Sequence, residues 1–165
     1  MKATQILSAI IAIVCGLCSL NAAAQRCNDK IPASTPTARF HDNRDGSVTD
    51  IATGLRWSRC SLGQHWEQGR CQGEAQALPY AIAALVAEKD WRLPTIVELS
   101  SLVELRCAQP AINTDIFPDT MADIYWTSTR FANQDGKFWQ VHFLHGEGLP
   151  EKADSTAYVR LLRDE

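Results

Sequence analysis

Four histidines (His41, His65, His142 and His145), together with Cys27, Cys60, Cys71 and Cys107 beyond residue 24, are the side chains with most scope for chemistry. His142 and His145 stand three apart in a stretch that reads as extended, so they fall on opposite faces and cannot form the i, i+4 metal pair a helix offers. No two of those four cysteines have the CxxC spacing of a zinc site. A strained nucleophilic serine needs a GxSxG elbow, and phosphate loops need their glycine patterns; the chain has neither. Asp115 and Asp119 resemble a glycosidase carboxylate pair only by composition, because they lie in a proline-punctuated stretch where acids serve turns. The acidic run from Asp42 to Asp50 fails as a calcium loop. Aligning Gly46 with the invariant glycine puts His41 at the first ligand position and Ala52 at the last, where carboxylates are required. These patterns predict no catalytic residue, no metal site and no cofactor.

Binding remains. Cys60 and Cys71 bracket a short glycine-containing loop, so they are expected to pair with each other, and Cys27 with Cys107. Trp66 lies inside that loop between His65 and Glu67, where an exposed indole could stack on a sugar ring. The polar turn containing Arg130, Asn133, Gln134 and Asp135 supplies further candidate ligand contacts.

The elements that must position these residues centre on Asp90 to Leu99. Trp91 and Leu93 alternate with Arg92 as a short extended segment, and Pro94 keeps it out of the helical region. Thr95 and Glu98 form a capping box, and Leu99, Leu102 and Val103 continue at helical spacing, which predicts a helix from Ile96 to about Arg106. A second helix is expected over Leu78 to Lys89, packed beside the first, with Leu78, Ile82, Leu85 and Val86 on its buried face.

Alternation and turn signals predict short strands over Arg39 to His41, Ser47 to Asp50, Leu55 to Arg59, Ile124 to Thr129, Phe138 to Leu144 and Ala157 to Leu162. In the last two, Trp139, Val141, Phe143, Val159 and Leu161 are expected to face in, and Tyr158 and Arg160 out. Trp57, Trp91, Trp126 and Trp139 read as framework together with Arg92, Pro94, Thr95 and Glu98. The fold class is α+β, with two helices packed on short antiparallel sheets, long irregular loops and two disulfides.

Residues 1–24 carry Lys2, an apolar run and Ala22-Ala23-Ala24, the pattern of a cleaved secretory signal rather than a retained membrane segment. Residues 25–37 are expected to be a polar tether with little means of burying itself, and residues 38–165 a single domain. The formal charge of −3 becomes one unit more negative once Lys2 leaves, which excludes a general nucleic-acid surface.

In order along the chain stand Arg39-Phe40, Asp45-Gly46-Ser47-Val48-Thr49-Asp50, Thr53-Gly54-Leu55-Arg56-Trp57 and Trp91-Arg92-Leu93-Pro94-Thr95. Pro110-Ala111-Ile112-Asn113, Tyr125-Trp126-Thr127-Ser128-Thr129, Trp139-Gln140-Val141-His142-Phe143 and Val159-Arg160-Leu161-Leu162-Arg163 follow. This ordered set resembles the Lcl C-terminal domain family, named for a collagen-like bacterial surface adhesin. The resemblance implies an exported bacterial domain used in attachment, with the adhesin's own domain associated with sulfated glycans and trimers. It also extends to the C-type-lectin-like and formylglycine-generating-enzyme-like group. Neither a collagen-like repeat nor an EPN, QPD or WND sugar–calcium tripeptide is present, and no cysteine follows Cys107.

The expectation is an exported, non-enzymatic binding or adhesion module for glycans or other cell-surface components. The alternatives are an envelope enzyme of the formylglycine-enzyme-like class and a structural accessory of a surface assembly. The sequence leaves the oligomeric state open.

Overall fold

A computed structural model describes residues 24–86 and 90–164; the predicted secretory signal, apart from Ala24, and positions 87–89 of the predicted second helix lie outside the described residues. Short antiparallel sheets dominate. A four-stranded sheet runs in the order Leu162–Asp164, Leu55–Ser58, Ser47–Asp50, Phe40–Asp42, so the last strand pairs with one about a hundred residues before it in sequence. The predicted Asp-Gly hairpin joins its outer pair. Gly46 sits at φ 84°, and a Cβ there would lie 2.8 Å from the Trp66 Cβ, so this turn tolerates only glycine. The turn's acids are engaged as the hairpin reading requires: Asp42 and Asp45 accept from Arg44 and Ser47 backbone N–H groups and pair with Arg59 and Arg56.

A three-stranded sheet, Ile124–Arg130, Lys137–His142 and Glu147–Lys152, separates two apolar cores. Trp57, Leu99, Phe117, Tyr125 and Val141 belong to one, and Leu93, Trp126, Phe138 and Val159 to the other. Both faces are therefore covered, and period-2 alternation is lost here. Phe138 and Gln140 are buried where alternation predicted exposure, helped by an irregularity in register between them. Trp139 is only half-buried, its ring meeting Phe131 edge-on at 5.2 Å.

Helix α1 (Tyr80–Ala83) and helix α2 (Ile96–Ser100) are both shorter than the periodicity predicts. The start of α2 is as expected. Thr95 accepts the Glu98 N–H and the Glu98 carboxylate accepts the Thr95 N–H at 2.7 Å. Its early end has a tertiary cause. The Glu104 N–H donates to the Ala111 carbonyl at 3.1 Å and Val103 bridges to Ile112, so a neighbouring segment takes the groups that a longer helix would need. Leu102 and Val103 remain buried, which means that their apolar spacing reports burial but not conformation.

α1 follows Pro79, which offers no side-chain cap, and the segment before it is held extended by pairing with Thr156–Ala157. Leu85 is 77% exposed and Ile82 46%, so the predicted buried stripe does not form. Instead Tyr80 stacks on Phe138 with centroids 3.4 Å apart, and Ala83 is buried. A cleft of about 370 Å³, lined by residues including Tyr80, Ala84, Thr95 and Glu98, lies between the helices in place of the expected packing.

Both predicted disulfides form. Cys27–Cys107 bridges a directly opposed pair in the sheet of Arg26–Cys27 and Cys107–Ala108. The expected tether is anchored well beyond that bond. Gln25 donates to the Pro110 and Ile112 carbonyls, and Thr35 is 1% exposed. Glu104, 2% exposed, accepts from the backbone N–H and hydroxyl of both Ser34 and Thr35. Burial pushes the Glu104 carboxyl up, but these donors outweigh it and hold it below its ordinary value.

Arg160, predicted to face out, is fully buried. The last predicted strand is broken into Thr156–Ala157 and Leu162–Asp164, so the alternation that placed it outward does not run through this stretch. Its guanidinium donates to the Ser58 and Arg59 carbonyls and to the Thr120 hydroxyl, and lies 4.9 Å from the Phe117 ring centroid. Burial pulls its pKa below the usual arginine value.

Candidate functional site

The turn between Ile124–Arg130 and Lys137–His142 ends at Gly136, whose φ of 74° returns the chain into its strand. Register then places Lys137 directly opposite Lys152. Gln134, Asp135, Lys137, Lys152 and Asp154 line a shallow groove of about 450 Å³ at this end of the sheet. Neither lysine is ion-paired among the described residues, although the two aspartates line the same groove. Opposed like charges on neighbouring strands repel each other, and an anion between them would relieve that repulsion. Alternation along Lys137–His142 puts Trp139 on the same strand face as Lys137.

Of the predicted contacts, Gln134 and Asp135 line this groove and Asn133 is exposed in the same turn. Arg130 is exposed, but its guanidinium lies over the Phe138 ring at 5.3 Å, on the opposite face. Tyr80, stacked on that ring, has its pKa raised by burial against the opposing charge of Arg130. Trp66 is not brought to the groove. It sits on the separate hairpin of Gln64–Glu67 and Arg70–Gly73, half-buried, with the Arg59 guanidinium 4.5 Å above its ring. The expected free indole is therefore a packed one.

Sequence reasoning missed Lys137 and Lys152. They stand fifteen positions apart in number, and only the pairing of Lys137–His142 with Glu147–Lys152 makes them neighbours. Counting that register outward from His142 and Glu147 was the available signal.

The predicted framework residues link neighbouring elements. Arg92 donates to both Glu98 oxygens at 2.9 and 2.8 Å and to Asp164 at 2.9 Å, linking α2 to the last strand. The Arg92 guanidinium and the Thr95 N–H hold the Glu98 carboxyl down at about 2, against the opposing effect of burial. Trp91 packs under Arg163, and Trp126 donates from its indole to the Leu78 carbonyl.

A family model described as the Lcl C-terminal domain matches residues 46–163, which contain α2, both cores, the Cys60–Cys71 hairpin and the lysine groove. The chain belongs to the Lcl C-terminal domain family. The match begins after the segment that docks on Glu104, so the Cys27–Cys107 bridge joins residues outside the Lcl C-terminal domain match to residues within it. No curated protein matches the chain. The two disulfides of this Lcl C-terminal domain suit an extracellular or periplasmic compartment, where thiols are oxidised. No helix among the described residues is long and apolar enough to cross a membrane.

Proposed function

We propose that this Lcl C-terminal domain is an exported, non-enzymatic binding module that attaches to anionic glycans at a cell surface through the groove between Lys137 and Lys152. The observation that carries this reading is the opposed pair of lysines, without ion-pair partners among the described residues, on the strand face that also carries Trp139. Sulfate or carboxylate groups on a sugar chain would sit between the ammonium groups, while a pyranose face covers the indole. Gln134 and Asp135 line the rim and can bond sugar hydroxyls. The short sheets and irregular loops support a C-type-lectin-like arrangement in which loop ends carry the ligand.

The test is a glycan array of the oxidised protein, with sulfated and unsulfated polysaccharides, at two salt concentrations. Binding to sulfated chains that weakens with salt, and falls at least about tenfold in Lys137→Ala/Lys152→Ala, is expected. Binding indifferent to the double substitution removes the groove from the reading, and binding to no glycan removes the glycan.

One observation favours a second reading, an accessory in a surface assembly. Leu62, Leu85, Val86, Trp91 and Leu161 line an apolar cleft of about 490 Å³, beside exposed Ile82. Self-association in sedimentation that Leu85→Lys abolishes would support it, and a monomer at every concentration would count against a self-assembling form.

A further inference from the structure

A cleft of about 530 Å³ lies where the Gln64–Glu67/Arg70–Gly73 hairpin meets the segments around Gln109 and Asp119. Its walls are mostly apolar, with Met121 and Leu144 among them. Two of its polar side chains carry unpartnered acceptor oxygens. The Gln64 and Gln109 side-chain oxygens are buried without a hydrogen-bond partner, a state that costs free energy until a donor arrives. Asp119, the one charged residue lining the cleft, is exposed; one of its oxygens accepts from the Cys71 N–H at 3.1 Å. Thr120 adds no free donor, because its hydroxyl donates to the Phe117 carbonyl at 2.7 Å and accepts from Arg160 at 2.8 Å. The only side-chain donors left to an incoming anion are the two glutamine amides.

The backbone is strained in the same place. Gln109 and Asp119, at φ 62° and 56°, are two of the four non-glycine residues in the left-handed region among the described residues, and both line this cleft. Such positions persist only where the surroundings enforce them, and they gather at binding sites. Here they place a carboxamide and a carboxylate from separate loops on the walls of one cleft.

We infer that this cleft binds an organic ammonium group carried on an apolar stem. The ammonium offers several donors to the Gln64 and Gln109 oxygens and a charge to Asp119, while the stem lies against Met121 and Leu144. Two sources share this chemistry: a free alkylamine and a lysine side chain of a partner protein. The site is distinct in chemistry from the lysine groove, since it is acceptor-lined where that groove presents cations.

Amide NMR titration of the oxidised protein tests this, with pentylamine, its neutral counterpart pentanol, and Nα-acetyl-lysine methylamide as probes. Saturable shifts of Gln64, Cys71, Gly73, Gln109 and Met121 with pentylamine, at least about tenfold weaker with pentanol, are expected. The lysine amide distinguishes the sources: binding as tight as pentylamine points to a partner's side chain, and binding much weaker points to a free amine. Asp119→Asn keeps the shape, tolerates the left-handed backbone and retains an oxygen for the Cys71 N–H, so the fold should survive while pentylamine binding falls at least about tenfold. The inference is overturned if pentanol binds as well as pentylamine, if Asp119→Asn leaves the affinity unchanged, or if none of these amides responds.

Discussion

Arg92 engages both oxygens of Glu98 and also Asp164, whereas Lys137 and Lys152, opposed on neighbouring strands, are without an ion-pair partner among the described residues. The two regions lie on one framework and use charge differently. Around α2, each ion-paired group is tied to another element, so the charges connect the helix to the last strand and to the segment before it. At the hairpin end, the sheet is already held by backbone pairing and by the cores beneath it, so its lysines can be lost without loosening anything. Charge that is fully paired belongs to the fold, and charge that the fold leaves unpaired is available to a ligand.

The sharpest way to break that contrast is at Glu104, a carboxylate only 2% exposed whose oxygens accept from Ser34 and Thr35. Glu104→Ala strands the Ser34 and Thr35 N–H groups and should destabilise the protein by roughly 3 kcal/mol in urea unfolding. It should also make residues 25–37 the first site of limited proteolysis. Loss of stability without early cleavage there would separate the carboxylate from the docking of that segment.

Glu98 comes next and carries a pH signature. Its folded-state pKa, about 2, is depressed from 4.5, so its contribution is fully present above 4.5 and is lost as pH falls toward 2. Allowing for the partial exposure of both Arg92 and Glu98, the contribution is roughly 2 kcal/mol. Wild type and Glu98→Gln should therefore differ by about that amount at neutral pH and converge near pH 2 in denaturant melts. A difference that persists at low pH would show that the capping geometry, not the charge, carries the effect.

The smallest stability change belongs to the other side of the comparison. Lys137→Ala/Lys152→Ala should leave stability within about 0.5 kcal/mol of wild type, or raise it slightly by relieving repulsion, while abolishing salt-sensitive glycan binding. A loss of several kcal/mol in that variant would mean that these lysines serve the fold after all.

Much of the framework was legible because its signals are local. Thr95 with Glu98 makes a capping box from a three-residue spacing, Asp45-Gly46 makes a hairpin turn, and the short separation of Cys60 and Cys71 suggests their pairing. The failures share one cause: groups distant in sequence captured the backbone or covered a second face. The Ala111 carbonyl takes the Glu104 N–H from a longer α2, Thr156–Ala157 draws Leu78–Pro79 into a strand pair, and a core on each side of the three-stranded sheet buries Phe138 and Gln140. The candidate site was half legible. A polar turn announced Gln134 and Asp135, but Trp66 looked free only because Arg59 and Gly46, its packing partners, come from other segments.

By itself, then, the sequence determined the α2 cap, the tight turns, the pairing of Cys60 with Cys71 and the family to which the chain belongs, because each depends on residues close together or on an ordered set of motifs. Only the tertiary structure decided that Glu104 anchors the N-terminal segment, that Arg160 is buried against carbonyls and rings, and that Lys137 meets Lys152. Those contacts depend on register and on the pairing of segments far apart in sequence, and their energies arise between groups that no local pattern brings together.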